Sequence, residues 1–411
     1  MSLASLSEYR CLVSGSPVEP FLNFGMMPIA NGFLSESEFE SEPFFELEVG
    51  LCEESGMVQL TKLLPPTTMF HENYAFFSST SSKMAAHFQQ FADWAIGEFV
   101  PADGFAVEMG SNDGILLRHF ANRGLRHLGI EPSENVAEAG RANGVNTVSR
   151  FFSEEFADEV IAEYGHADVF MAANVMCHIA TIRSVAAGIE KLLKPEGVLV
   201  FEDPYLGDIL TKGSFDQIYD EHAFYFCANS VQNLFGLHGL ELIDVIPQPT
   251  HGGSMRYVLA KRGARPINPS VSKLLEAERL AGFMRMETMV AFAKSVERKR
   301  DLLKEALESL KSEGKSVAGY GATSKSTTVS NYCGITPDLV QAIYDTTPIK
   351  QGKFSPGVHI PVLDFSGFRA SPPDVSLLFA WNHAEEIMAK ETGYSASGGR
   401  WLNYVPEVRL Q

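Results

Sequence analysis

The segment that most restricts this chain is Glu108-Met109-Gly110-Ser111-Asn112-Asp113-Gly114, which follows an apolar stretch and opens a helical pattern. Glycines at the carboxyl end of a strand let the loop backbone approach a ligand closely, a geometry that belongs to parallel sheets. The alternation of strand, loop and helix then recurs. Strands are predicted at 105–109, 127–130, 168–172 and 197–202 with helices between them, and 240–246 and 255–260 close the unit. Such a pattern predicts a parallel sheet covered by helices.

A second unit of this kind follows a helical connector. Met289, Phe292, Ala293, Val296, Leu303, Leu307 and Leu310 recur at helical spacing, and Ser312-Glu313-Gly314 ends the run. Beyond it come a strand at 316–318, a loop Gly319-Tyr320-Gly321, a helix, and strands at 340–344 and 375–379. Residues 1 to about 70 differ: they are short, apolar and turn-rich, with alternation in 44–49 and 56–61 that suggests small strands. A helix is expected from about 81 to 98. The organisation read from these shifts is a small module over 1–70, an α/β domain over 71–263, and the connector with a second α/β domain over 264–411.

Charge narrows the partners. Lys and Arg number 33 and Asp and Glu 51, a net charge of −18. Clustered cations for nucleic acid are missing, and an anionic membrane surface is disfavoured for the same reason. No apolar run approaches the roughly 20 residues of a membrane span. Neither a secretory leader nor a disulfide framework is apparent from the first residues or the five scattered cysteines, so a cytoplasmic protein is expected. Eight Glu and no Lys or Arg lie between Ser35 and Ser55, which reads as a solvated acidic face.

The first glycine loop departs from the dinucleotide pattern, because an acid, Glu108, stands two positions before Gly110. A carboxylate there repels a pyrophosphate and suits the ammonium of an amino-acid-like ligand. Glu131, about 20 residues on in Gly129-Ile130-Glu131-Pro132, can accept hydrogen bonds from ribose hydroxyls. Together these suit a nucleoside joined to an amino acid without phosphates, and S-adenosylmethionine is the candidate. Glu108, Gly110, Asn112, Gly114, Glu131 and Asn174 form the expected cofactor set. The loop alone would also suit an ordinary strand–turn–helix. The stretch from Leu193 to Glu202 resembles the strand-four region of class I methyltransferases.

Two segments are richer in titratable groups than packing requires. Asn174-Val175-Met176-Cys177-His178 leaves the third expected strand, and Tyr219-Asp220-Glu221-His222 follows the fourth between aromatics. His is the usual general base near neutral pH, and Tyr can assist. A polar helix face and a hydrogen-bonded helix-start histidine would use the same residues. The second glycine loop, Gly319-Tyr320-Gly321-Ala322-Thr323-Ser324-Lys325-Ser326, enters a helix whose amides, with Lys325, suit a phosphate. Asp345 imitates a ribose-binding acid, so this motif also reads as NAD-binding or as a structural turn.

These segments, with His251-Gly252-Gly253-Ser254-Met255-Arg256, Asn331-Tyr332-Cys333-Gly334-Ile335, Gln351-Gly352-Lys353 and Ala380-Trp381-Asn382, resemble the sugar C-methyltransferases that act on nucleotide-linked 4-keto deoxysugars. The resemblance covers nearly the whole chain. It implies a class I methyltransferase Rossmann-like domain, a second Rossmann-like α/β domain for the nucleotide sugar, and a zinc-ribbon-like N-terminal module. It makes His222 the base that removes a proton α to the ketone, with Tyr219 beside it. His178, Glu221 and Asn174 would hold the sugar, and Tyr74 matches a further active-site tyrosine, though a buried loop aromatic would read the same. Methylation at C3 is expected. Lys325, Lys353 and Asn382 are the expected nucleotide-sugar contacts, preferred over NAD because the third glycine is absent and the reaction needs no hydride.

The relatives carry two C-x-x-C pairs that bind one structural zinc. Here the pairs read Cys11-Leu12-Val13-Ser14 and Cys52-Glu53-Glu54-Ser55, and a hydroxyl is a poor replacement for a thiolate. No metal is therefore expected, and a Cys11–Cys52 disulfide is disfavoured in the cytosol. Cys177, Cys227 and Cys333 read as core residues. A monomer is expected by family analogy, although the acidic module could serve as a contact surface. Two other functions stay open: an O- or N-methyltransferase of another small molecule, and a non-catalytic nucleotide-sugar binding protein.

Overall fold

A computed structural model describes residues 9–65 and 82–411, so Tyr74 lies outside the described residues. Near the N-terminus, β1 (Glu19–Pro28), β2 (Phe44–Cys52) and β3 (Met57–Leu60) pair antiparallel. Alternation located β2 and β3. It missed β1, whose register slips twice, between Pro20 and Leu22 and between Asn23 and Met26. Such irregularities break the period of two that marks a strand.

The central sheet contains β4 (Phe105–Met109), β5 (Arg126–Ile130), β6 (Thr147–Val148), β7 (Ala167–Ala173) and β8 (Leu193–Pro204). After it, β9 (Phe224–Tyr225) crosses to the first sheet and pairs with β3. Then β10 (Leu240–Gln248) and β11 (Ser254–Lys261) return as an antiparallel pair. The order is β10-β11-β8-β7-β4-β5-β6. Because β6 is only two residues long, periodicity could not reveal it. Counting it corrects the expected numbering: Ala167–Ala173 is the fourth strand of this sheet and Leu193–Pro204 the fifth. Strand order reverses between β4 and β7, which places a crevice beyond their carboxyl ends.

A third sheet holds β12 (Val317–Tyr320), β13 (Ile343–Asp345), β14 (Val362–Asp364), β15 (Val375–Leu378), β16 (Arg400–Asn403) and β17 (Arg409–Leu410). Its order is β14-β13-β12-β15-β16-β17, parallel up to β16. The expected loop at Gly319-Tyr320-Gly321 begins later, because Gly319 and Tyr320 belong to β12. Gly319 serves packing: a Cβ there would lie 2.6 Å from the Phe379 ring. The connector is two helices, Pro269–Ala281 and Met286–Ser312, and the second buries the expected stripe from Met289 to Leu310.

All three units converge on the segment that carries Tyr219 and His222. Asp220 Oδ1 accepts the Ala30 amide at 3.0 Å, and Thr327 donates to the Ala30 carbonyl at 2.7 Å. Thr328 donates to the Ile218 carbonyl at 3.1 Å. The acidic stretch is not wholly solvated, because Glu42 is buried between the Gly357 amide and the His359 ring, each at 2.8 Å. All five cysteines are free and buried. Cys11, Ser14, Cys52 and Ser55 form one cluster, with Cys11 Sγ 3.3 Å from Ser55 Oγ and Ser14 Oγ 3.6 Å from Cys52 Sγ. Two thiols and two hydroxyls do not match the thiolate and imidazole donors of a structural zinc site.

Just past β9, Glu278 anchors the chain. Its buried carboxylate accepts Tyr205 Oη at 2.9 Å, the Ala228 and Asn229 amides at 2.7 and 2.9 Å, and Asn229 Nδ2 at 2.7 Å. Two orphan amides at the start of helix Ala228–Gly236 are thus satisfied from the connector. Glu278→Ala is expected to destabilise the fold by about 3 kcal/mol, since several buried donors lose their acceptor. Thermal unfolding at matched pH checks this, with Glu278→Gln falling between the two.

Candidate active site

The crevice between β4 and β7 is shaped by backbone that only certain residues tolerate. Gly110 has φ +68°, and a Cβ on it would lie 2.4 Å from Val175 Cγ2. Gly114 has φ +80°, with a hypothetical Cβ 2.6 Å from Val145. Asn112 and Asn174 are left-handed without being glycine, at φ 48° and 57°. Glu131 accepts the Asn112 amide at 3.1 Å and the Ser133 amide at 3.0 Å, one on each oxygen. A carboxylate has about four acceptor positions, so two stay open for hydroxyls.

Glu108 is only 2% exposed, and its Oε2 has no hydrogen-bond partner. Burial, with Glu131 and Asp113 nearby, holds its carboxyl well above the usual range. Asn174 Oδ1 is likewise buried and unpartnered. An orphaned acid beside a glycine cradle fits a ligand that brings a positive charge and hydrogen-bond donors, as S-adenosylmethionine does. Glu108, Gly110, Asn112, Gly114, Glu131 and Asn174 therefore lie together around one crevice.

The acid–base groups sit next to it. His222 Nδ1 donates to the Gln217 carbonyl at 2.8 Å, which leaves the Nε2 lone pair to accept Tyr219 Oη, also at 2.8 Å. The His178 ring stands 5.0 Å from that of His222, and its Nδ1 lies 2.6 Å from the Glu221 carbonyl. Burial, then the neighbouring His178, pushes His222 far below the usual imidazole range, and burial takes His178 down to about 4. Both rings are neutral near pH 7. Burial and then Asp220 push Glu221 up to about 8.

The third sheet supplies cations. Lys325 enters on helix Ser324–Tyr332, its ammonium 5.2 Å from the Trp381 ring centroid and offset by the Asp216 carboxylate. Lys350 donates to the Ala322 carbonyl at 2.9 Å and faces Asp345 and Glu221. Lys353 instead turns toward the Phe33 carbonyl, 3.4 Å away. Asn382 sits in the turn Trp381–His383 beyond β15. Asp345, like Glu131, is engaged by amides: Ala322 and Thr347 each donate to it at 2.7 Å.

Three family models match in succession. Residues 11–70 fit "Putative zinc binding domain", 81–245 fit "Methyltransferase domain", and 249–406 fit "C-methyltransferase C-terminal domain". The C-methyltransferase NovU of Streptomyces niveus is 33% identical over 392 residues, spanning 95% of this chain and 93% of NovU. The chain belongs to the S-adenosylmethionine-dependent C-methyltransferases. Membership sets aside the O- and N-methyltransferase readings and the non-catalytic one. Among solved structures, magnesium protoporphyrin IX methyltransferase of Synechocystis PCC 6803 with bound SAM is 12% identical and covers 43% of this chain and 79% of its own, at a TM-score of 0.32. The YcgJ protein of Bacillus subtilis is 12% identical and covers 43% and 99%, at 0.35. Overlays that loose add nothing to the strand order already described.

In this C-methyltransferase several site groups carry no motif of their own. Gln217 and Asp216 precede the Tyr219–His222 segment and look like ordinary polar residues. Lys350 lies three positions from the expected Lys353, and only the turn Pro348–Lys350 shows which lysine faces Glu221. Glu221, raised to about 8, is chiefly a neutral carboxylic acid at pH 7 and offers an O–H donor. As pH rises through about 8 that donor is lost, so kcat/KM is expected to fall on the alkaline side. Glu221→Gln keeps a neutral donor, and its pH–rate profile should lack that limb.

Proposed function

We propose that this C-methyltransferase acts on a nucleotide-linked 4-keto deoxysugar and methylates C3. The observation that carries the reading is the half-buried Tyr219 bonded to the buried His222, with Lys325 of the second α/β domain near His222 and Lys350 near Glu221. A carbon next to a ketone loses its proton only to a placed base whose conjugate enolate is stabilised. Cations beside that base suit the diphosphate of a nucleotide sugar.

His222 is neutral with its acceptor nitrogen fixed by Gln217, and Tyr219 occupies that nitrogen. The tyrosine oxygen takes the carbon proton as its own proton moves to His222 Nε2, and the electron pair stays on the sugar as an enolate. The imidazolium formed keeps its Nδ1–H bond to the Gln217 carbonyl. Neutral Glu221 donates to the enolate oxygen, with His178 orienting the ring. When bound, S-adenosylmethionine supplies an electrophilic methyl, and Glu108, Glu131 and Asn174 with the Gly110–Gly114 loop are the residues that would hold it. Fixing base and substrate in one geometry contributes much of the rate. The chain works as a cytoplasmic monomer in this reading, because His222, Lys325 and Lys350 all come from one copy. Among the described residues no helix is long and apolar enough to cross a membrane.

The N-terminal module, we further propose, holds together without zinc. The thiol–hydroxyl contacts of Cys11, Ser14, Cys52 and Ser55 replace four metal bonds, and β1 to β3 supply the packing.

Two measurements test these readings. With labelled methyl donor and a panel of nucleotide-linked 4-keto sugars, NMR should place the label on C3. In heavy water the wild type should exchange that carbon's hydrogen, while His222→Asn should lose exchange and transfer together by at least about 100-fold. Elemental analysis should find no stoichiometric zinc in the wild type, whereas Ser14→Cys with Ser55→Cys should take up one zinc per chain.

A further inference from the structure

One buried polar group in the cleft has no task in the mechanism above. His251 lies in the turn between β10 and β11, at φ 54° and ψ 19°. That left-handed conformation is unfavourable for a side chain with a Cβ, and glycine would occupy it freely. Glycines follow at 252 and 253, so a third would be the simpler solution. Backbone strain of this kind gathers at sites where the side chain is needed.

The surroundings hold His251 in place. Gln217 Nε2 donates to its carbonyl at 2.5 Å, the same glutamine whose own carbonyl fixes His222. Lys212 donates to the next carbonyl, that of Gly252. Gly252 is pressed against Trp381, where a Cβ would come within 2.2 Å of the indole, and Gly253 meets Asp208. The turn is thus fixed to the base on one side and to the third sheet on the other. Its imidazole Nε2 is buried without a hydrogen-bond partner. The charged and titratable groups around it are Lys325, His383, His87 and His178. His251 therefore shares the cleft with His178 and Lys325.

We propose that His251 is a substrate-binding residue whose Nε2–H donates to the phosphate oxygen joining the sugar to its nucleotide. This rests on the nucleotide-sugar reading and adds to it a specific contact. An anionic oxygen would select the Nε2–H tautomer of this ring and satisfy the unpartnered nitrogen, and Lys325 nearby suits the anomeric end of the substrate. The strain at φ 54° then persists because an imidazole, which glycine lacks, supplies that donor.

The test uses the full-length enzyme with S-adenosylhomocysteine present, and dTDP, UDP, CDP, GDP and ADP as calorimetric probes. The wild type should bind at least one of them. His251→Gly should bind it at least tenfold more weakly, keep the same affinity for S-adenosylhomocysteine, and unfold at the same or a higher temperature because the strain is gone. His251→Asn, which tolerates the left-handed region and offers an amide donor, should recover part of the affinity. Equal diphosphate affinity in the wild type and both variants overturns the assignment. So does a parallel loss of diphosphate affinity, S-adenosylhomocysteine affinity and thermal stability in both, which marks a structural role. A wild type that binds none of the five overturns the nucleotide-sugar reading itself, and this contact falls with it.

Discussion

The three-residue turn Phe215–Gln217 is the constraint on which the rest of the molecule depends. The carbonyl of Gln217 decides which nitrogen of His222 carries the proton, and its side chain fixes the turn that bears His251. One residue earlier, Asp216 reaches the other way. It is fully buried and accepts Trp381 Nε1 at 2.6 Å and Tyr404 Oη at 2.7 Å, both from the third sheet's unit. Burial raises its carboxyl, while Lys325, the two donors and Lys299 act against that rise. The bond that sets the base and the bonds that dock the second α/β unit are therefore adjacent in sequence. A shift of that unit cannot leave the base undisturbed.

The two parallel sheets solve the same local problem in the same way. Each ends its central strand in a left-handed glycine, Gly110 at φ 68° and Gly321 at φ 91°. Each glycine approaches the chain leaving the neighbouring strand across the reversal of strand order: Gly110 meets Val175, and Gly321 meets Ala380. In each, the acid at the end of the next strand accepts an amide of the glycine loop and another two residues beyond itself. What differs is the charge at the mouth. Glu108 stands behind the first loop, whereas Lys325 and Lys350 stand around the second. An acid thus marks the first crevice and cations the second, and Lys325 of the second lies near His222.

The contrast in charge is legible in the residues because it is written in local sequence. An acid two positions before a glycine, a glycine at a strand end and a lysine in the first turn of a helix act within a few residues of one another. The strands β4, β5, β7 and β8 are legible for the same reason, since each holds a short apolar stretch: 105–107, 128–130, 169–173 and 198–201. What local sequence could not show is long-range. Phe224–Tyr225 reads as part of an aromatic cluster, yet it pairs with β3 across more than 160 residues. His87, Glu202 and Arg256 have no common motif, yet Glu202 takes His87 Nε2 at 2.6 Å and pairs with Arg256, whose guanidinium lies over Phe91 and Trp94. Gln217 could be singled out only once its two bonds were visible.

A net charge of −18 gives the placement of the lysines its meaning. The field of such a chain favours a cationic methyl donor and opposes an anionic substrate, at distances up to the Debye length of roughly 8 Å. Burial, together with Glu131 and Asp113 near it in the crevice, holds the Glu108 carboxyl well above the usual range. An anion must meet the opposite sign locally. Burial lowers the ammonium pKa of both Lys325 and Lys350, and the nearest acids, Asp216 for one and Asp345 with Glu221 for the other, oppose that lowering. Desolvated cations are electrostatically stronger than solvated ones, so two suffice where the surrounding surface is unfavourable. In the cleft an anion would meet Lys325 and Lys350, both desolvated, near His222 and Glu221.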